Sequence, residues 1–524
     1  MTETNHTRLF LYWLSGITLL RLLWHLLLNP VGIMGDEAYN WDWGRHLAWG
    51  YYSKPPGSAW LHGLINALSG GSLFAIKATS TLLAGASTLF FFLTLRHLFD
   101  QRFAFWTALL YLLTPGQLLV SSILTADAQL FCYWNLSLFA TVQILFPKSS
   151  QETSKLPWLI LFLALALGHL AKQMMLINII LFLLATILIR PQLFKNTLTY
   201  LIPLLSLISL IPPLYWNSQN NWITVEHTAH HFDSEEFDLL GILERFGVLA
   251  LLTALLLTPL ALAAIPKALI QGARSTISAL PSKKAPKLLF LILYGPLPFA
   301  VMFLMTFRQE VNPNWPGAYH AATLAATAYL FFLKSPKPEL QNSIFDVRCS
   351  MFTFSLRFTA AITSLVFLAF PAAEFLFKVI PPAKAQRRTY WGYPQLSQNI
   401  ASHDPHRTHA IILHGHRDGA SELAFSMPGQ PEVHVWNEND RIQHQYDFWP
   451  GPDPGQPALI VIERRRAEND GLPTEAMPSY LGPLTFLAEY DLHPSRDFPK
   501  FRVYRTDSLI SWPSPVASSR RGNP

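Results

Sequence analysis

The chain has 524 residues, 51% hydrophobic and 14% charged, with a mean hydropathy of +0.24. Soluble globular proteins carry about 25% charged residues, so the composition excludes a disordered chain, a nucleic-acid-binding module and an ordinary soluble enzyme. Lys+Arg 39 against Asp+Glu 33 leaves a net +6, which in a multispanning membrane protein reflects cytoplasmic loops and not a polyanionic partner.

A membrane crossing takes about 20 mostly apolar residues. That length predicts eleven spans, near 8–29, 73–98, 103–122, 128–147, 156–172, 174–190, 197–215, 243–265, 287–307, 316–333 and 353–380. The apolar run of the first is too long for a cleaved leader and lacks a small-x-small site. With the N-terminus in the cytoplasm, the inner loops carry thirteen Lys and Arg, among them Arg102, Lys148, Lys195, Lys267, Lys284 and Lys337, while the outer loops before the tail carry only Arg45, Lys54 and Arg308. This asymmetry predicts a cytoplasmic N-terminus, an odd number of spans and an extracytoplasmic tail. Cys132 then falls in the outer half of a span and Cys349 in a cytoplasmic loop; both read as packing residues.

Composition changes after Pro381-Pro382. Residues 1–382 form the expected membrane domain, with a first outer loop at 30–72. Residues 383–512 read as a small soluble α/β domain, with strands at 410–413, 432–436, 458–463 and 501–504 and helices at 420–425 and 480–488. Residues 513–524 read as a disordered tail. The chain has no Walker or GxGxxG loop, so nothing supports a nucleotide-driven pump.

Polar chemistry gathers in the outer segments. Asp36 and Glu37 lie just past the first span, where carboxylates are costly to keep and suit a general base; the alternative is that they cap an interfacial helix. Lys54 precedes Pro55-Pro56 on a stiffened backbone, either aimed at a phosphate or snorkelling at the interface. Asp127, in a short outer turn, could hold a substrate hydroxyl or cap the next helix. His227, His230 and His231 share one face at i, i+3, i+4, a weak metal pattern without a placed carboxylate. Arg308 closes an apolar span on the side where anchoring cations are scarce, and a guanidinium there suits bidentate phosphate binding.

The run Asp36-Glu37-Ala38-Tyr39, continued by Gly50-Tyr51-Tyr52-Ser53-Lys54-Pro55-Pro56, resembles the first outer loop of GT-C glycosyltransferases, in the bacterial protein-mannosyltransferase-like and aminoarabinose-transferase-like branch. Thr125-Ala126-Asp127-Ala128, Trp216-Asn217 and Asn312-Pro313-Asn314-Trp315-Pro316 resemble further segments of the family in order, as do 422–430 and 445–449 in the tail. The resemblance implies a bacterial inner-membrane enzyme that takes a sugar from a polyprenyl-phosphate carrier and passes it to lipid A, lipopolysaccharide or another envelope glycan. It implies Asp36 as the catalytic carboxylate, with Glu37 and Asp127 organising sugar or acceptor. Lys54, Arg308 and Tyr51 would then hold the carrier phosphate, while Tyr39, His227, Asn314 and Trp315 line the substrate site. Aminoarabinose transferases carry a metal-holding Glu before Lys-Pro-Pro, and here that position is Ser53. No cofactor is therefore assigned, and His227 and His231 are the candidates for any metal. The Tyr-Tyr-Ser-Lys-Pro-Pro form looks more like branches that move uronic acids or other sugars onto lipopolysaccharide. Rival readings are a protein O-mannosyltransferase-like enzyme, a lipid-sugar flippase, or an assembly protein; a flippase would need polar groups at the bilayer midplane.

Overall fold

The computed structural model describes residues 3–28, 32–148, 154–230, 232–233, 238–277, 285–332, 347–379, 392–437, 439, 441–464, 477–492 and 500–513. The expected tail beyond Pro513, the boundary at 382–383, and the inner-loop lysines Lys283, Lys284, Lys334 and Lys337 lie outside these residues.

In chain order the helices are α1 (Glu3–Leu28), α2 (Gly35–Arg45), α3 (Gly57–Ser69), α4 (Leu73–Leu98), α5 (Gln101–Leu112), α6 (Pro115–Ser122), α7 (Ala126–Leu145), α8 (Leu156–Ala171), α9 (Leu176–Ile189), α10 (Leu198–Ser206), α11 (Ile211–Gln219), α12 (Ile223–His230), α13 (Leu239–Leu256), α14 (Pro259–Ile277), α15 (Ala285–Tyr294), α16 (Pro296–Met305), α17 (His320–Phe332), α18 (Val347–Val379) and α19 (Tyr393–Ala401). There follow β1 (Ala410–His414), α20 (Arg417–Ser426), β2 (Val433–Val435), β3 (Ala458–Arg464), α21 (Met477–Leu481), β4 (Thr485–Asp491) and β5 (Lys500–Thr506). Contacts divide the chain into two compact units: Met1–Leu28, Lys54–Ser58 and Phe74–Leu368 in one, Asn29–Ser53, Ala59–Leu73 and Ala369–Pro524 in the other.

The first unit is a helical bundle. Among the described residues, six helices are long and apolar enough to cross a membrane, or seven if the bent pair α5–α6 is one span. The apolar helices at Leu156–Ala171, Gln173–Ile189 and Pro259–Ala273 fall below that length. Prolines reshape two of the expected spans. The run at 103–122 bends by 60° at Thr114-Pro115, because proline lacks an N–H and starts a new helix more easily than it continues one. The run at 243–265 is not one helix: α13 stops at Leu256 and α14 restarts at Pro259. Cys349 lies in the first turn of α18 and not in a loop. Between helices, polar side chains act as adhesive, as in other membrane bundles: Asn135 Nδ2 donates to Ser87 Oγ at 2.8 Å and Asn178 Nδ2 to Ser137 Oγ at 2.7 Å.

The bend carries its own repair. Breaking a helix frees carbonyls that lipid cannot satisfy. Arg21 of α1 donates to Leu112 O at 2.8 Å, Thr363 of α18 to Leu113 O at 2.6 Å, and Thr114 Oγ1 to Tyr111 O at 2.8 Å.

The second unit contains α2, most of α3, and a five-stranded sheet in the order β2-β1-β3-β5-β4. β1 runs parallel to β2 and β3, while β5 is antiparallel to β3 and β4. β1 and β3 are almost wholly buried, as the apolar runs Ala-Ile-Ile-Leu and Ala-Leu-Ile-Val-Ile require. The expected helix at 480–488 is corrected. α21 ends at Leu481, Gly482 turns at φ +73°, and the chain continues as β4, which carries a bulge between Phe486 and Ala488. A nine-residue window could not separate the two periods, and Gly482-Pro483 marks the switch. Both edges are blunt: β2 has only three residues. On β4 Glu489 is paired with Arg502 at 2.6 Å and with Lys500 at 3.1 Å.

Candidate active site

In the bundle unit, Asp127 is the centre of a small polar network. Thr125 caps α7 by accepting the Asp127 N–H, so the Asp127 carboxylate is released from capping. Its Oδ1 lies 2.6 Å from Lys172 Nζ, and its Oδ2 accepts from Asn314 Nδ2 at 2.8 Å. Both ionic side chains are 15% exposed. Of the expected site residues, the structure therefore joins Asp127 and Asn314, and adds Lys172, which sequence reasoning did not place in the site. The available signal was a lone lysine ending an apolar run. Lys172 sits in extended conformation (φ −158°, ψ 137°) at the break after α8, which turns it off the helix axis.

Lys54 belongs to this unit and is half-buried. Its Pro-Pro turn leads to Gly57, where a Cβ would stand 2.6 Å from Leu170 O and 3.0 Å from Ala171 N. Only glycine permits that backbone approach, and it seats the Lys54 turn on the helix end that carries Lys172. Arg308 is exposed on the turn after α16. Trp315 opens a short 3₁₀ turn, Trp315–Tyr319, and stands 5.8 Å from the Phe232 ring. Asn217 braces the turn that follows it. Its Oδ1 accepts from Thr224 N at 3.1 Å, across Asn221 and Trp222, which hold φ of 54° and 57°. His227 is half-buried on α12, His230 pairs with Asp233 at 2.9 Å, and His231 lies outside the described residues. Among the described residues no three His, Cys, Asp or Glu come together as metal ligands.

In the loop-and-sheet unit, Asp36 is exposed in the first turn of α2, where the helix dipole favours an anion. Glu37 is fully buried, and its Oε2 accepts the Met34 N–H at 3.3 Å, so capping falls to Glu37 and not to Asp36. Tyr39 and Tyr51 serve the loop's architecture. Tyr39 Oη accepts from Gln445 N at 2.6 Å, and its ring lies 5.1 Å under the Arg417 guanidinium. Tyr51 is fully buried and stacked on Trp43; its hydroxyl accepts from Ala48 N at 2.9 Å and donates to His46 O at 3.0 Å. The Tyr446 hydroxyl donates to Asp42 at 2.7 Å. Burial pushes the Asp42 carboxyl above the usual carboxylate range, against the pull of Arg45. For Arg417, burial opposes the charge, but Tyr39, Asp418 and Asp36 outweigh it and raise the guanidinium's pKa. Arg417 was also missed from sequence; its signal was a basic residue opening a helix directly after a buried strand.

Residues 53–216 match the family described as dolichyl-phosphate-mannose-protein mannosyltransferase. RgtD of Rhizobium johnstonii, a lipid A galacturonosyltransferase, is 26% identical over 425 residues, covering 79% of this chain and 81% of that protein. ArnT of Cupriavidus metallidurans shares the fold. Its structure bound to undecaprenyl phosphate gives a TM-score of 0.62 at 14% identity, covering 94% of this chain and 97% of ArnT. The apo form gives 0.62 at 15%, covering 96% and 98%. The chain is thus similar in sequence to a lipid A galacturonosyltransferase over most of its length, and it shares the fold of ArnT.

Proposed function

We propose that the enzyme transfers a sugar, a uronic acid in the first instance, from a polyprenyl-phosphate carrier to lipid A or a related envelope glycan. The similarity to a lipid A galacturonosyltransferase supports the sugar and the acceptor, and the undecaprenyl phosphate bound to ArnT supports the carrier. The single observation that carries the reading is the Asp127 network beside the Lys54 turn. It puts two lysines on neighbouring backbone, as a leaving phosphate needs.

In the reaction, an acceptor hydroxyl attacks the anomeric carbon while the bond from that carbon to the carrier phosphate oxygen breaks. The phosphate leaves with the electron pair. Lys54, Lys172 and Arg308 neutralise the charge that grows on it, and Asp36 takes the hydroxyl proton. Asp127 aims Lys172 and is itself steadied by Asn314. Glu37, Tyr39 and Tyr51 shape the loop that presents Asp36, and His227 and Trp315 flank the sugar. In the wider reading, the bundle of residues 1–382 crosses a bacterial inner membrane eleven times, its shorter apolar helices included. The N-terminus is cytoplasmic, and residues 383–512 form an extracytoplasmic α/β domain.

The test is transfer in proteoliposomes holding undecaprenyl-phosphate-linked galacturonic acid and lipid A, followed by mass spectrometry of the lipid. Lipid A heavier by one uronic acid residue is expected. Donor that crosses the bilayer unconsumed would replace the transferase with a flippase.

A further inference from the structure

The sheet unit contains an open cavity of about 490 Å³ that the transfer chemistry does not use. It lies at the carboxyl ends of the parallel strands β2, β1 and β3. There β1 is flanked by β2 on one side and β3 on the other, so the chain leaves in opposite directions. Open α/β sheets bind ligands at such a switch point, and the volume lies within the range of small-molecule sites.

Its lining names a chemistry. Trp436 supplies an aromatic wall, Asn437 and Gln443 supply amides, and Arg417 and Glu463 contribute one charge of each sign to the lining. Arg417 is already engaged by Asp418 at 3.6 Å and by the Tyr39 ring. Glu463 Oε2 is spent on the His416 N–H at 3.0 Å, fixing the loop between β1 and α20. His444 also lines the cavity; burial holds its pKa below the ordinary imidazole value, which favours the neutral ring that both donates and accepts. Asn437 is held by Asp447 Oδ1 at 3.1 Å, and Asp447 Oδ2 also accepts from Gln443 N at 2.7 Å, so the amide side of the wall is preorganised. An aromatic face, paired donors and acceptors, and no net charge suit a ring that carries several hydroxyls.

We propose that this cavity is a second, non-catalytic saccharide site that holds a neutral pyranose unit of a glycan. It stands on the sheet alone and goes beyond the transferase reading.

The test uses the full-length protein in nanodiscs, with no lipid donor, and saturation-transfer NMR with methyl glucoside, methyl galactoside and methyl N-acetylglucosaminide as probes. At least one should receive saturation on its ring protons, and galacturonate should bind no more tightly than the best neutral probe. Gln443→Trp, at the exposed rim, should lower the signal at least tenfold. His416→Ser, which keeps the cap on α20, should weaken it less. Asp36→Asn and Lys54→Ala should bind the probes as the parent does, which separates this site from the transferase centre. Absence of binding by all three probes would overturn the proposal, as would binding that Gln443→Trp leaves intact or that Lys54→Ala abolishes. Tighter binding of galacturonate would overturn the neutral assignment.

Discussion

Asp36 and Glu37 are neighbours with different work. Glu37 is buried against the Met34 N–H while Asp36 is exposed, so the two should separate cleanly under substitution. Asp36→Asn keeps the shape but cannot take a proton; it should lower kcat about a hundredfold with donor binding intact, as read by turnover and by lipid co-purification. Glu37→Gln keeps the cap and should be near normal, whereas Glu37→Ala should cost about 0.5–2 kcal/mol of stability. For Lys172 and Asp127, a double-mutant cycle is decisive. Lys172→Met and Asp127→Asn should each raise the KM for the lipid donor roughly tenfold to a hundredfold, the worth of about 1.5–3 kcal/mol for one charge-assisted contact. The double variant should be scarcely worse than either alone; full additivity would mean that the two act apart. The Asp36 motif was legible because its chemistry is contiguous. The Lys172 partnership was not, since 45 residues separate it from Asp127 and only folding brings them together. At His444, burial holds the folded pKa below the ordinary imidazole value, against the pull of Asp447. The unfolded state therefore binds the extra proton first, and stability present above the ordinary imidazole pKa of about 6.5 is lost as the pH falls below it. Hydrogen exchange of peptides spanning 442–448 should quicken over that window in the parent, and less so in His444→Gln.

Among the elements, the α5–α6 bend shows how the fold is held. Sequence located the apolar run at 103–122 but read it as straight, because hydropathy sums over a window and is blind to one proline. The partners of the bend lie in α1 and α18, far along the chain, and no local pattern announces them. Thr363→Val should leave Leu113 O without its donor and cost about 1–3 kcal/mol, seen as a lower thermal midpoint of the detergent-purified protein. Arg21→Leu should cost at least as much, since its donor is charged. An unchanged midpoint in both would mean that water reaches the bend. The same limit explains 480–488, where a short amphipathic stretch fits helix and strand equally well until a neighbouring strand decides. The buried strands β1 and β3 were legible because they are continuous apolar runs bounded by polar turns.

For the whole molecule, the apolar helical class was plain from composition, and the likeness to GT-C enzymes from a few loop motifs. What sequence could not supply was the grouping of the chain, since α2 shares a compact unit with a sheet more than 360 residues further on. Hydrogen bonds from Tyr52 N and Tyr446 to partners across that interval make the grouping physical: Tyr52 N donates to Gln445 Oε1 at 2.8 Å, and Tyr446 donates to Asp42. The charge asymmetry of the loops bears on orientation. A reporter fused after residue 400 should be active only outside the cytoplasm, and one fused at Lys284 only within it. The reverse at either position would break the proposed map.

The blunt edges of the sheet bear on how the protein behaves in company. A row of unpaired backbone groups invites a strand from another copy. Here one border is too short to serve as a template, and the other is kinked at Leu487 and guarded by Glu489, Lys500 and Arg502. Removing Leu487 would flatten that border into a regular ribbon. Concentrated samples of such a variant should form oligomers and then precipitate, where the parent stays dispersed.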